Sequence, residues 1–173
     1  MYKKIIVCID DTPLSERVTR VAADLACRYD SDIVLLSVID PARFARQPYT
    51  GLEAVQMLDR HSRSLSNAAH RLGSLLHGIG IRNRQLILPG RSVETILNVS
   101  EEESADLIVI GTEARSRLSA WLNSDLWSEV SHKAPCNVLR VTPAGWARAH
   151  DDDSALPQTK ASRRLLPASL SAL

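Results

Sequence analysis

The 173-residue chain has little of the residue types that make chemistry easy to read. Aromatic residues are 4% of it, one Phe, three Tyr and three Trp, too few and too scattered to form a stacking platform for single-stranded nucleic acid. The three cysteines, Cys8, Cys27 and Cys136, are odd in number, widely spaced and free of any CxxC. That excludes a disulfide framework and a cysteine-based zinc site, and a reduced, cytoplasmic setting is expected. Basic and acidic residues nearly cancel, 21 against 20, so the net charge of +1 makes no field that would draw nucleic acid or acidic lipid. No apolar run approaches the roughly 20 residues of a membrane span. The apolar opening at residues 5–9 stops at Asp10-Asp11, too short for the core of a secretory signal.

Catalytic motifs are missing as well. There is no GxSxG, no HExxH and no phosphate-binding Walker A pattern. His61, His70 and His77 share one helical segment, but a full turn or more separates each pair, too far for one metal ion. Cys8 and Cys136 fall in or beside strand-like segments and read as buried, inert thiols. Trp121 and Trp127 read as packing residues. The chain is therefore not expected to be an enzyme.

What is present is an alternation of two periods. Residues 5–9, 33–39 and 107–110 are short, β-branched apolar runs, the pattern of strands buried on both faces. Residues 85–88 and 138–141 read as two further strands. Between them Val18, Val21, Ala22, Leu25, Ala26 and Tyr29 line one face of a helix. Leu58, Leu65, Ala68, Ala69, Leu72, Leu75 and Leu76 line a second helix over about residues 52–77, with Gly78 and Gly80 as its stop. Ser92 stands as the N-cap of a third, carrying Val93, Ile96, Leu97 and Val99. The triplet Glu101-Glu102-Glu103 reads as its solvated end. Residues 125–133 form a fourth. The expected fold is α/β: a five-stranded parallel sheet with helices on both faces, Rossmann-like in its alternation of strand and helix. It should occupy residues 1–143. The remainder, 144–173, loses all period and reads as a C-terminal tail.

In such sheets ligands bind beyond the carboxyl ends of the strands, where strand order reverses. Attention falls on Asp10 to Thr12, Val38 to Pro41, and the segment from Gly111 onward. Asp10 is placed to accept hydrogen bonds from a base or ribose, or to cap its own turn. The segment from Gly111 to Asp125 has small and hydroxyl residues that would let backbone N–H groups approach an anion at the following helix, with Arg115 and Arg117 as further phosphate donors. It serves equally as a simple crossing from strand to helix. A receiver-domain reading of the Asp10-Asp11 pair fails, because no strand end supplies the further aspartate that would take a phosphoryl group.

Three blocks carry a family resemblance: residues 5–17 from Ile-Ile-Val-Cys-Ile-Asp10-Asp11 to Arg17, Asp106 to Thr112, and His132 to Val141, with Gly90 between them. In order and spacing they resemble the universal stress protein (UspA) family over about residues 1–142. The resemblance implies a cytoplasmic stress-response protein that is dimeric through its last strand, Asn137 to Val141. ATP-binding members of the family carry, after the fourth strand, a glycine, a second three residues on, a third ten residues later, and then Ser or Thr. Here those positions are Gly111, Ala114, Ser124 and Asp125, so only the first matches. Ala114 adds a methyl where backbone should approach phosphate. Asp125 adds a negative charge, and two like charges about 4 Å apart at an effective dielectric near 20 repel by roughly 4 kcal/mol. Asp10 and Val38 match the base-side positions. The resemblance thus implies a candidate nucleotide crevice of Asp10, Val38, Gly111, Ala114, Arg115, Ser124 and Asp125, spoiled at its triphosphate end. The expected role is non-catalytic, through dimerisation and an unidentified protein partner, without tight ATP binding. The alternative is an ATP- or AMP-sensing or slowly ATP-hydrolysing member with an altered phosphate loop.

Overall fold

A computed structural model describes residues 1–41, 51–112 and 124–143. Among these residues five strands, β1 (Lys4–Cys8), β2 (Asp32–Ile39), β3 (Asn83–Pro89), β4 (Leu107–Gly111) and β5 (Asn137–Val141), alternate with four helices, α1 (Leu14–Tyr29), α2 (Gly51–Gly78), α3 (Ser92–Glu102) and α4 (Ser124–Lys133). Every pairing is parallel, and the order is β3-β2-β1-β4-β5. The expected α/β sheet is therefore present, with its switch point between β1 and β4.

Side-chain alternation along the strands builds two cores. On one face Ile5, Val7 and Ile9 of β1 and its extension meet Val18, Ala22 and Ala26 of α1 and Leu72 and Leu76 of α2. On the other, Ile6, Ile108 and Ile110 meet Ile96 and Val99 of α3 and Val130 of α4. Ile5, Ile6, Val7, Ile108 and Val109 are all 0% exposed. Burying each such side chain stabilises the fold by about 1.5–3 kcal/mol. β3 and β5 lie at the two edges, each paired on one side only.

Local details differ from expectation in three places. Ser92 is the first helical residue and not the cap. Gly90, at φ +150°, delivers an extended Arg91, and the carbonyl of Arg91 accepts the first helical bond from Thr95 N–H at 2.9 Å. No side chain caps this terminus. β3 is longer than the expected 85–88, because Asn83 to Pro89 all find register partners on β2. Glu103 is not solvated: the α3–β4 turn, with Ser104 at φ +51°, carries it to Lys4 at 3.0 Å and to Arg84. The stop of α2 fits the sequence, with Gly80 at φ +80° just beyond its end.

The amino ends of β1 and β4 are tied by Asp106. Its Oδ2 accepts the backbone N–H groups of Lys3 at 2.7 Å and Lys4 at 3.0 Å. These bonds favour the ionised carboxylate, so its pKa is held below the ordinary 3.8. A depressed folded pKa contributes stability that is present above the unfolded value and lost as pH falls through the folded one. Asp106→Asn should therefore lower the denaturant midpoint at neutral pH. The gap from wild type should close as pH drops below 3.8. Denaturant melts at both ends of that range check this, and a gap that persists in acid contradicts it.

Candidate functional site

The carboxyl ends of β1, β2 and β4 converge because the register is continuous. Cys8 pairs with both Leu36 and Ile110. Asp10, Val38 and Thr112 each stand two residues beyond that row, so they share one level at the switch point. Ile9 N–H donates to Leu36 O at 2.9 Å, and the buried Ser37 hydroxyl donates to Ile9 O at 3.1 Å, which holds this end together.

Asp10 is exposed but ordered by its own turn. Its Oδ1 accepts from Thr12 N–H at 2.9 Å, Thr12 Oγ1 at 2.6 Å and Ser15 Oγ at 2.6 Å. Ser15 Oγ in turn accepts Asp10 N–H at 2.8 Å. Of the two open readings of Asp10, the capping of its own turn is observed, and the residue stands just beyond the carboxyl end of β1. Asp11 faces His61 of α2, Nδ1 to Oδ2 at 3.8 Å. His70 and His77 are exposed further along that helix.

Gly111 has a structural reason for being glycine. A Cβ there would meet Val18 Cγ2 at 2.8 Å and Leu14 Cδ2 at 3.0 Å, so α1 lies directly on the end of β4. Thr112 is 2% exposed; its N–H donates to Val141 O at 2.8 Å. Its Oγ1 accepts Arg140 Nε at 2.6 Å. The Arg140 guanidinium lies over the Trp127 ring, 5.1 Å from its centre. Trp127 packs on the second core, as expected, and its buried Nε1 has no hydrogen-bond partner among the described residues. Sequence reasoning singled out neither Ser15 nor Arg140, whereas Thr112 lies in the segment from Gly111 onward that it marked. Arg140 offered a signal there, a lone cation among the apolar residues of a strand.

Ala114, Arg115, Arg117 and Trp121 lie outside the described residues. Ser124 and Asp125 open α4, one residue earlier than expected, and their side chains lie outside the description. Burial pushes the Cys8 thiol up to about 12, and burial chiefly raises that of Cys136, which suits neither to nucleophilic work at neutral pH. Cys27 is exposed. A cleft of about 270 Å³ opens at the opposite, amino end of the sheet, lined by Lys4, Asp32, Arg82, Arg84 and Glu103, whose charges pair with one another. Parallel sheets do not place their ligands at that end. No helix among the described residues is long and apolar enough to cross a membrane.

Comparison with known proteins bears on this crevice. The universal stress protein family model matches residues 1–142. A universal stress protein of Methanocaldococcus jannaschii is 26% identical over 145 residues, covering 82% of each chain. UspA of Lactobacillus plantarum superimposes with a TM-score of 0.68 at 21% identity, over 81% of this chain and 97% of the other. A universal stress protein in complex with cAMP has a TM-score of 0.56 at 18% identity, over 82% and 97%. One from Archaeoglobus fulgidus in complex with dAMP has a TM-score of 0.54 at 21% identity, over 80% and 97%.

The contact of α1 with β4 sets an expectation for the glycine. Gly111→Ala should destabilise the fold by about 1–3 kcal/mol through overpacking against Val18 and Leu14. Chemical denaturation of the ligand-free protein measures this. An unchanged midpoint would mean that α1 yields freely.

Proposed function

The chain belongs to the universal stress protein family, and from that premise we propose that it is a cytoplasmic, non-catalytic stress-response protein. It acts as a homodimer through partner contacts, and its crevice takes an adenosine monophosphate in preference to ATP. The observation that carries this reading is the common level of Asp10, Val38 and Thr112 at the β1–β4 switch point.

The base side of the crevice keeps its parts. Asp10 is pre-ordered by Thr12 and Ser15, so its remaining oxygen meets a ribose or base edge at little entropic cost. Val38 is half-buried beside it and offers an apolar wall. The intraloop bonds of Asp10 suit recognition better than proton abstraction. The phosphate side keeps Gly111 but has Ala114 and Asp125 where close backbone and a hydroxyl would be wanted, a composition that repels a long polyanion more than a single phosphate. The solved relatives carrying cAMP and dAMP support a monophosphate class of ligand. Dimerisation is assigned to β5, an edge strand whose outward N–H and C=O groups seek a partner.

Calorimetry with adenosine, AMP, ADP and ATP separates this reading from ATP sensing or slow ATP hydrolysis. AMP should bind at least tenfold more tightly than ATP, a difference of about 1.4 kcal/mol. Micromolar ATP binding with turnover would overturn it in favour of the ATP-dependent alternative. Light scattering at tens of micromolar chain should give twice the 19.1 kDa chain mass; the mass of a single chain removes the dimer.

A further inference from the structure

We propose that Arg140 is the phosphate-recognising residue of this crevice, doing from the edge strand what the altered loop after β4 no longer does. This rests on the monophosphate reading above. Arg140 stands opposite Ile110 in the β4–β5 register, one residue before the level of Gly111. Its side chain emerges on the α3–α4 face, as does Val138 two residues earlier. That brings its Nε to the hydroxyl of Thr112, the residue that follows Gly111 where a ligand's phosphate would arrive.

Two contacts hold the guanidinium. Thr112 Oγ1 accepts from Nε at 2.6 Å, and the Trp127 ring lies beneath the guanidinium carbon at 5.1 Å. A planar fork fixed at one edge and one face loses little freedom when it meets an anion. Neither contact uses the terminal amino groups, and among the described residues no carboxylate pairs with Arg140. Those N–H groups suit the oxygens of one phosphate in bidentate fashion. The Thr112 hydroxyl accepts from Nε, and among the described residues its own proton goes to no acceptor. The Trp127 ring also excludes water from one side of the charge, which strengthens its attraction to phosphate. Arg140 is exposed at the edge of the sheet, so its terminal N–H groups are accessible to an anion from solvent.

The test titrates adenosine and AMP into the full chain, its Arg140→Gln variant and its Arg140→Lys variant. Wild type should bind AMP more tightly than adenosine. Arg140→Gln should weaken AMP by about tenfold or more, the loss of a charge-assisted contact, while adenosine binding stays within about twofold. Arg140→Lys keeps the charge without the fork and should fall between the two. Raising salt should weaken AMP binding to wild type and barely affect Arg140→Gln. Equal loss for adenosine and AMP overturns the proposal, because Arg140 would then only brace Thr112 and Trp127. Unchanged AMP binding in Arg140→Gln also overturns it, with the crevice reading left standing. If wild type takes up neither ligand, the crevice reading itself fails and this inference falls with it. Should Arg140→Gln fold poorly by thermal melting, the Lys variant decides alone: undiminished AMP binding at raised salt sinks the proposal.

Discussion

The burial of β1 and β4 on both faces governs this molecule. Ile5, Ile6, Val7, Ile108 and Val109 have no accessible surface, so neither strand has room for a polar side chain in its middle. Helices must cover both sides, and parallel pairing then follows from the crossovers. Polar chemistry is pushed to the strand ends, where the backbone leaves the sheet. One register row, Cys8 with Leu36 and Ile110, sets where those ends fall. Asp10, Val38 and Thr112 come level as a consequence, although 28 residues and then 74 separate them in the chain.

The two ends of the sheet are used differently. At the amino end, charges close on one another: Asp106 on the Lys3 and Lys4 amides, Glu103 on Lys4 and Arg84, Asp32 on Arg82. Exposed pairs of this kind add little stability each. They leave that cleft electrostatically satisfied. At the carboxyl end, Asp10 and Arg140 are held by neutral hydroxyls, Ser15 and Thr12 for one, Thr112 for the other. A charge positioned by a hydroxyl keeps its field, whereas a charge met by an opposite charge does not. That contrast supports placing the proposed ligand at the carboxyl end.

Gly111 shows that scaffold and site make overlapping demands. The family pattern marks it as the first glycine of a phosphate loop, and the packing marks it as the place where Leu14 and Val18 of α1 touch β4. Close packing of α1 also holds Ser15 beneath Asp10, so the same contact that excludes a side chain at Gly111 orders the turn beside it. Packing against α1 is by itself a sufficient reason for glycine at this position.

Periodicity alone determined the alternation of strands with helices, the parallel sheet and where the strand ends fall, because two-faced burial writes apolar runs that need no tertiary information. It also marked Asp10, Val38 and Gly111, since they end such runs. What it could not decide depended on contacts between distant segments. Ser92 has the composition of a cap, yet the extended approach from Gly90 made Arg91 the cap. Glu103 belongs to an acidic triplet, yet a left-handed turn at Ser104 delivered it to two cations. Arg140 is one charge in a short strand until β4, β5 and α4 bring Thr112 and Trp127 to it. Local pattern reports which face a residue takes, while the partner it meets there is chosen by register and by helix placement, and those exist only in the folded chain.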